Sequence, residues 1–220
     1  MVDIDRICSV LADGGVTGVE QFRLKLVNNH GCEPVVMSLL FEAKTALMFA
    51  RARCGVEMRE SPDLDVTLGA HRLFAEVKYF RRKSQDDIDD ERLRGATSLL
   101  LPYGDTRPTE GEDAWDQVAD VACRKVCQYQ QGVPNVLVIN SSSPNCIDEV
   151  IIPTAVAKID EICRMEPDHG LQRLNGIVLV SEEVNVSRGV RNVYFFETMS
   201  PAIPLPKEVR AMLNGVRLLA

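Results

Sequence analysis

Two short runs of strictly alternating residues, separated by a glycine, set the frame for this chain. Leu64, Val66 and Leu68 mark the first run and Leu73, Ala75 and Val77 the second, with Gly69-Ala70 between them. Alternation of this kind predicts two half-buried strands, and the glycine-containing break predicts a hairpin. A two-residue loop at Gly69 and Ala70 places Leu68 opposite His71, Leu64 opposite Ala75 and Asp63 opposite Glu76. Side chains alternate across a strand, so Asp63, Asp65, Glu76 and Lys78 share the face turned away from the apolar set.

Carboxylates side by side on one face of a hairpin repel each other. Two readings follow. The face is solvated, as outer faces of antiparallel hairpins commonly are, or a divalent cation offsets the repulsion. Magnesium accepts carboxylate and carbonyl oxygens, often only one or two carboxylates together with water and substrate phosphate. Lys78, two residues beyond Glu76, would point into the same site.

The 220 residues, 45% hydrophobic and 26% charged, suffice for one sizeable core, and the charged fraction argues against long disorder. A net charge of −7 excludes a nonspecific nucleic-acid coat, although screening over roughly 10 Å leaves room for a local phosphate-binding patch. Seven cysteines, odd in number and without Cys-x-x-Cys or zinc spacing, read as reduced and mostly buried thiols of a cytoplasmic protein. Cys123 and Cys127, four apart on a helix, read as packing. Met1 to Arg6 lack the pattern of a signal peptide, and no run reaches membrane-spanning length.

Along the chain, Ile4 to Ala12 predicts an amphipathic helix closed by Asp13-Gly14-Gly15, and Phe22 to Val27 fits helix or strand. Pro34 to Arg53 predicts a core-facing helix stopped by Gly55, with Glu42 at the edge of its apolar stripe. A glutamate there either reaches solvent or points at a cation. Val56 to Met58 is a brief strand.

After the hairpin, Lys78-Tyr79-Phe80-Arg81-Arg82-Lys83 interleaves cations with aromatics, a composition suited to phosphate contact and base stacking or to a snorkelling surface. Asp86 to Glu91 lacks the glycine and distal glutamate of an EF-hand loop, and Arg92 to Glu112 reads as an irregular insertion. Asp113 to Gln131 predicts a helix on which Lys125 and Gln128 are surface neighbours. Asn135 to Asn140 predicts a strand buried on both faces. Ile147 to Met165 reads as a helix kinked or split at Pro153, Leu174 to Val180 and Asn192 to Phe196 as strands, and Pro206 to Gly215 as a short helix.

The order helix, strand, strand, strand, helix, strand, with Glu42 on the first helix, Pro62-Asp63 opening the hairpin, Glu76-Val77-Lys78 in its second arm and Lys125 and Gln128 on the next helix, resembles the PD-(D/E)XK nuclease superfamily. The resemblance spans about Glu42 to Asn140. It implies an α/β fold with a restriction-endonuclease-like core, a central mixed β-sheet flanked by α-helices. One domain over 1–220 is expected, its core at about 33–141 and residues 142–220 extending the sheet.

By the same resemblance Asp63 and Glu76 would be metal ligands with the Val77 carbonyl as a third, and the cofactor would be Mg2+ or Mn2+. Lys78 would orient or help deprotonate the attacking water, Glu42 would join the outer shell, and Gln128 with Lys125 would steady the site. Arg81, Arg82, Lys83 and Lys125 would contact nucleic acid. Asp65 shares the face and is the alternative ligand to Asp63, although the Pro62-Asp63 dipeptide favours Asp63. The implied activity is metal-dependent phosphodiester hydrolysis, with DNA ahead of RNA as partner, and a homodimer where both strands are cut. Val216 to Leu219 would then be interface or core.

The main rival is the same fold serving as a binding or assembly module without turnover. A cysteine or serine hydrolase lacks any local signature, and no Gly-x-Gly-x-x-Gly or Walker sequence supports a nucleotide site.

Overall fold

The computed structural model of the chain describes residues 2–80, 113–141, 147–185, 190–199 and 201–219. Helix α1 (Ile4–Asp13) starts where the Asp3 side chain accepts from the Arg6 amide at 3.0 Å, filling one of the donors a helix start leaves open. Strand β1 (Val16–Thr17) follows, then α2 (Val19–Asn29), which settles the ambiguous stretch as helix. Helix α3 (Glu33–Arg51) carries Pro34 in its first turn, where the missing N–H costs nothing. Next come β2 (Gly55–Met58), β3 (Leu64–Leu68) and β4 (His71–Lys78).

Helix α4 (Ala114–Arg124) is shorter than the spacing predicts. It stops at Lys125 and tightens into a 3-10 turn over Val126–Gln128, a common way to end a helix. Strand β5 (Asn135–Asn140) leads to α5 (Ile152–Met165), β6 (Leu174–Asn185), β7 (Val190–Glu197), α6 (Lys207–Gly215) and β8 (Leu218–Leu219). Pro153 opens α5 and does not kink it, because proline's fixed φ suits the first turn.

The eight strands lie side by side in sequence order as one mixed sheet. β1 and β2 are parallel, β2, β3 and β4 form an antiparallel meander, β4, β5 and β6 run parallel, and β7 and β8 return antiparallel. The hairpin register is the expected one, with Leu68 opposite His71 and Leu64 opposite Ala75. Gly69 adopts φ +59°, the left-handed value a two-residue II′ loop asks of its first position.

Helices cover both faces. One core packs Leu11, Phe22, Leu26, Phe49 and Leu213 against Leu64, Val66, Ala75 and Val77; the other packs Val118, Ala122, Ile152 and Ile159 against Leu137, Ile139, Ile177 and Leu179. β4 is therefore central and buried on both sides from Leu73 to Val77, more enclosed than the half-buried strand the alternation predicts. Val216 is core and Leu218–Leu219 adds an edge strand beside β7.

Of the six cysteines among the described residues only Cys54 is buried, which corrects the expectation of mostly buried thiols; Cys32 and Cys127 are exposed. No described helix is long and apolar enough to cross a membrane.

Candidate metal centre

The hairpin register puts the position before β3 opposite Glu76, so Asp63 and Glu76 meet. Neither lies on a solvated face: Asp63 is 9% exposed and Glu76 1%. Asp63 Oδ2 accepts from the Val77 amide at 2.8 Å, and its carbonyl accepts from the Arg59 amide at 2.9 Å, which fixes the chain entering β3. Glu76 Oε1 accepts from Lys125 Nζ at 2.5 Å, while no donor group reaches the buried Glu76 Oε2 and the Asp63 carboxyl stands within hydrogen-bonding reach of Glu76.

Two buried carboxylates this close disfavour a second negative charge. Burial, followed by the neighbouring Asp63, pushes Glu76 up to about 7 against the opposing pull of Lys125. Glu42, half-buried on α3, rises to about 8, again by burial first and Asp63 second, with Lys25 and Lys125 opposing. Glu42, Asp63, Glu76 and Lys125 thus form one electrostatic group drawn from α3, the start of β3, β4 and the end of α4. Lys78 follows two residues after Glu76 on the same side of β4 and is half-buried.

Lys125 and Gln128 are not neighbours on a single α-helix. They sit at the two ends of the 3-10 turn, where the Gln128 amide donates to the Lys125 carbonyl at 2.9 Å. Gln128 Oε1 is buried without a partner. Arg81, Arg82 and Lys83 lie outside the described residues, as does the insertion at Arg92 to Glu112.

Asp65 belongs to a different arrangement. Its carboxylate accepts from Arg72 Nε at 2.9 Å, from Arg59 Nη1 at 3.2 Å and also from Arg72 Nη2, and the hydrogen bond from Arg72 is the first cause holding it below the usual carboxylate range. Both guanidiniums also lie over the Phe74 ring, at 4.8 Å for Arg72 and 5.9 Å for Arg59. Asp65 is satisfied by this clamp. Of the two aspartates, Asp63 is the one beside Glu76.

Two residues outside the sequence-based set border the site. Lys25 donates from Nζ to the Arg59 carbonyl at 3.0 Å and counteracts the rise at Glu42. Tyr129 is 2% exposed, its hydroxyl has no partner, and burial followed by the Glu76 charge raises its pKa well above the phenol value. A lysine on α2 and a tyrosine after a 3-10 turn carry no local signature.

Among the described residues no three His, Cys, Asp or Glu side chains are gathered into a ready-made cage for a metal ion. The donor set that is present fits magnesium better than a cage-bound metal, since magnesium is commonly held by one or two carboxylates plus water and phosphate. Comparison of the chain with protein-family models, curated proteins and solved structures finds no match in any of the three.

Proposed function

We propose that this chain is a metal-dependent nuclease that hydrolyses phosphodiester bonds at the Asp63, Glu76 and Lys78 site. The observation that carries the reading is the buried pair Asp63 and Glu76, side by side, with one oxygen, Glu76 Oε2, enclosed and reached by no donor group. A buried acceptor without a donor costs about 1–3 kcal/mol, a cost that persists most readily where a ligand relieves it. The order of strands around the site, an antiparallel meander whose last strand runs parallel to β5, supports a restriction-endonuclease-like core.

In this reading Asp63, Glu76 and the Val77 carbonyl hold magnesium or manganese. When bound, such an ion stabilises the negative charge that develops on a phosphoryl oxygen. Lys78 holds the attacking water and, as the neutral amine, takes its proton to become the ammonium. Glu42 supports the outer shell, Lys125 orients Glu76, and Gln128 steadies the turn beneath it. Arg81, Arg82 and Lys83 extend the contact along the nucleic-acid backbone.

The test is cleavage of linear, branched and single-stranded DNA and RNA with magnesium or manganese and with chelator, comparing wild type with Glu76→Ala and Lys78→Ala. Metal-dependent cutting lost in both variants, with circular dichroism unchanged, is the expected result. A wild type that cuts nothing in the panel overturns it.

One observation favours a second reading, a binding module without turnover: the Lys125 ammonium already neutralises Glu76 Oε1. In that case nucleic acid would bind equally with metal or chelator and remain intact.

A further inference from the structure

A cavity of about 280 Å3 lies between α3, the carboxyl ends of β4 and β5 and the middle of β6, at the small end of ligand pockets. Open α/β sheets bind ligands at that edge. Phe41 and Lys44 of α3 form one wall, Tyr79 follows β4, Asn140 ends β5, Val180 is the mid-strand residue of β6 paired with Asn140, and Arg191 enters from β7. The two charged lining residues, Lys44 and Arg191, are both cationic.

The aromatic wall is fixed. Tyr79 and Phe41 pack obliquely with ring centroids 5.8 Å apart. Asn140 straps the chain just beyond Tyr79: its Oδ1 accepts from the Phe80 amide at 2.5 Å and its Nδ2 donates to the Phe80 carbonyl at 3.1 Å. Its side-chain amide is spent on this strap, so Asn140 holds Tyr79 in place and leaves recognition to the aromatic wall and the two cations.

A half-buried Tyr79 ring, backed by the buried Phe41 and set beside two cations of separate elements, matches a nucleotide, whose base has a π face and whose phosphate is anionic. The cavity is too small for stacked base pairs, so its occupant is a single unstacked nucleotide. Phe41 precedes Glu42 and Tyr79 follows Lys78, so the same two elements carry the cavity and the proposed hydrolytic site. We infer that this cavity receives one unstacked nucleotide next to the phosphodiester to be cut, which makes single strands, flaps and frayed ends the substrate class in preference to intact duplex. This inference rests on the nuclease reading for its cutting step, and its binding step can be read separately.

Binding is measured first, by fluorescence anisotropy in chelator with a labelled single-stranded DNA oligonucleotide, its RNA equivalent and a closed duplex hairpin. The variants are Arg191→Glu, Lys44→Glu and Tyr79→Leu, with Tyr79→Phe retaining the ring and circular dichroism checking the fold. Single strands of either sugar are expected to bind tighter than the hairpin. Tyr79→Leu should weaken that binding roughly tenfold, as loss of one stacked base does, while Tyr79→Phe should restore it. Each charge reversal should flatten the salt dependence by about one unit of slope. Equal binding of hairpin and single strand, or single-strand binding unmoved in Arg191→Glu and Lys44→Glu, overturns the inference. Metal-dependent cutting by a wild type whose three variants bind normally would leave the nuclease reading standing and remove the cavity from it. Variant-sensitive binding without any cutting would support the cavity and remove the hydrolysis.

Discussion

Lys125 Nζ donates to Glu76 Oε1 at 2.5 Å, yet Glu76 Oε2, equally enclosed, accepts from nothing. The lysine neutralises one side of a carboxylate that also faces the Asp63 carboxyl. Removing the ammonium leaves a buried charge next to Asp63 without its counter-ion, which is where buried pairs cost most. Lys125 is a quarter exposed, which tempers the cost. Lys125→Met is expected to lose about 2 kcal/mol at pH 8 and much less at pH 5, where Glu76 is protonated. Urea unfolding at the two pH values checks this, and equal losses would contradict it.

The raised carboxyls set a pH dependence. Glu42 moves from its ordinary 4.5 to about 8 and Glu76 from 4.5 to about 7. Across that window the folded chain holds more protons than the unfolded chain, so unfolding free energy falls as pH rises through it. Wild-type Tm is expected to drop between pH 5 and pH 8, and Glu42→Gln should flatten the profile at its upper end. A profile that rises over the same range would show that neither carboxyl is raised in the folded state.

Manganese should reverse the trend. Protons compete with the ion for the same oxygens, so ligand-linked stabilisation is greater where the carboxyls are ionised. Millimolar manganese is expected to raise Tm at pH 8 and to do little at pH 5, measured by differential scanning fluorimetry. A larger shift at the lower pH would speak against the pair as the binding site.

Asp65 supplies the contrast. Its lowered pKa means that the clamp by Arg72 and Arg59 contributes stability above the unfolded carboxylate range, lost as pH falls through the folded value. Asp65→Asn should therefore lower Tm near neutral pH, with the deficit shrinking in acid, and should keep the manganese response. Loss of that response in Asp65→Asn with retention in Asp63→Asn would exchange their roles.

Gly18 tests the frame that carries α2. It sits at φ +74°, and a Cβ there would lie 2.1 Å from the Met58 carbonyl oxygen. Gly18→Ala is expected to cost more than about 1 kcal/mol, seen as a lower urea midpoint with an unchanged m-value.

The hairpin register was legible because period-two alternation and a two-residue glycine loop admit a single pairing, and Asp63 opposite Glu76 followed directly. The burial of that face was not, since it depends on β5 and the turn after α4, whose Lys125 reaches Glu76 from 49 residues away. The same alternation put Asp65 beside Asp63. Arg72, diagonal to Asp65 across the hairpin, was the signal that it had a partner of its own. The end of α4 at Arg124 was hidden because Val126 and Tyr129 continue the apolar spacing through a turn that is no longer α-helical. Pro153 opens its helix, where the spacing alone suggests a kink, because proline marks a helix start as readily as a break.

The most direct test of the central claim is calorimetric titration of manganese into wild type, Asp63→Asn and Glu76→Gln at pH 8. Wild type is expected to bind at one site, lost or greatly weakened in both variants while their circular dichroism stays native. Equal binding in all three, or none in wild type, would contradict it.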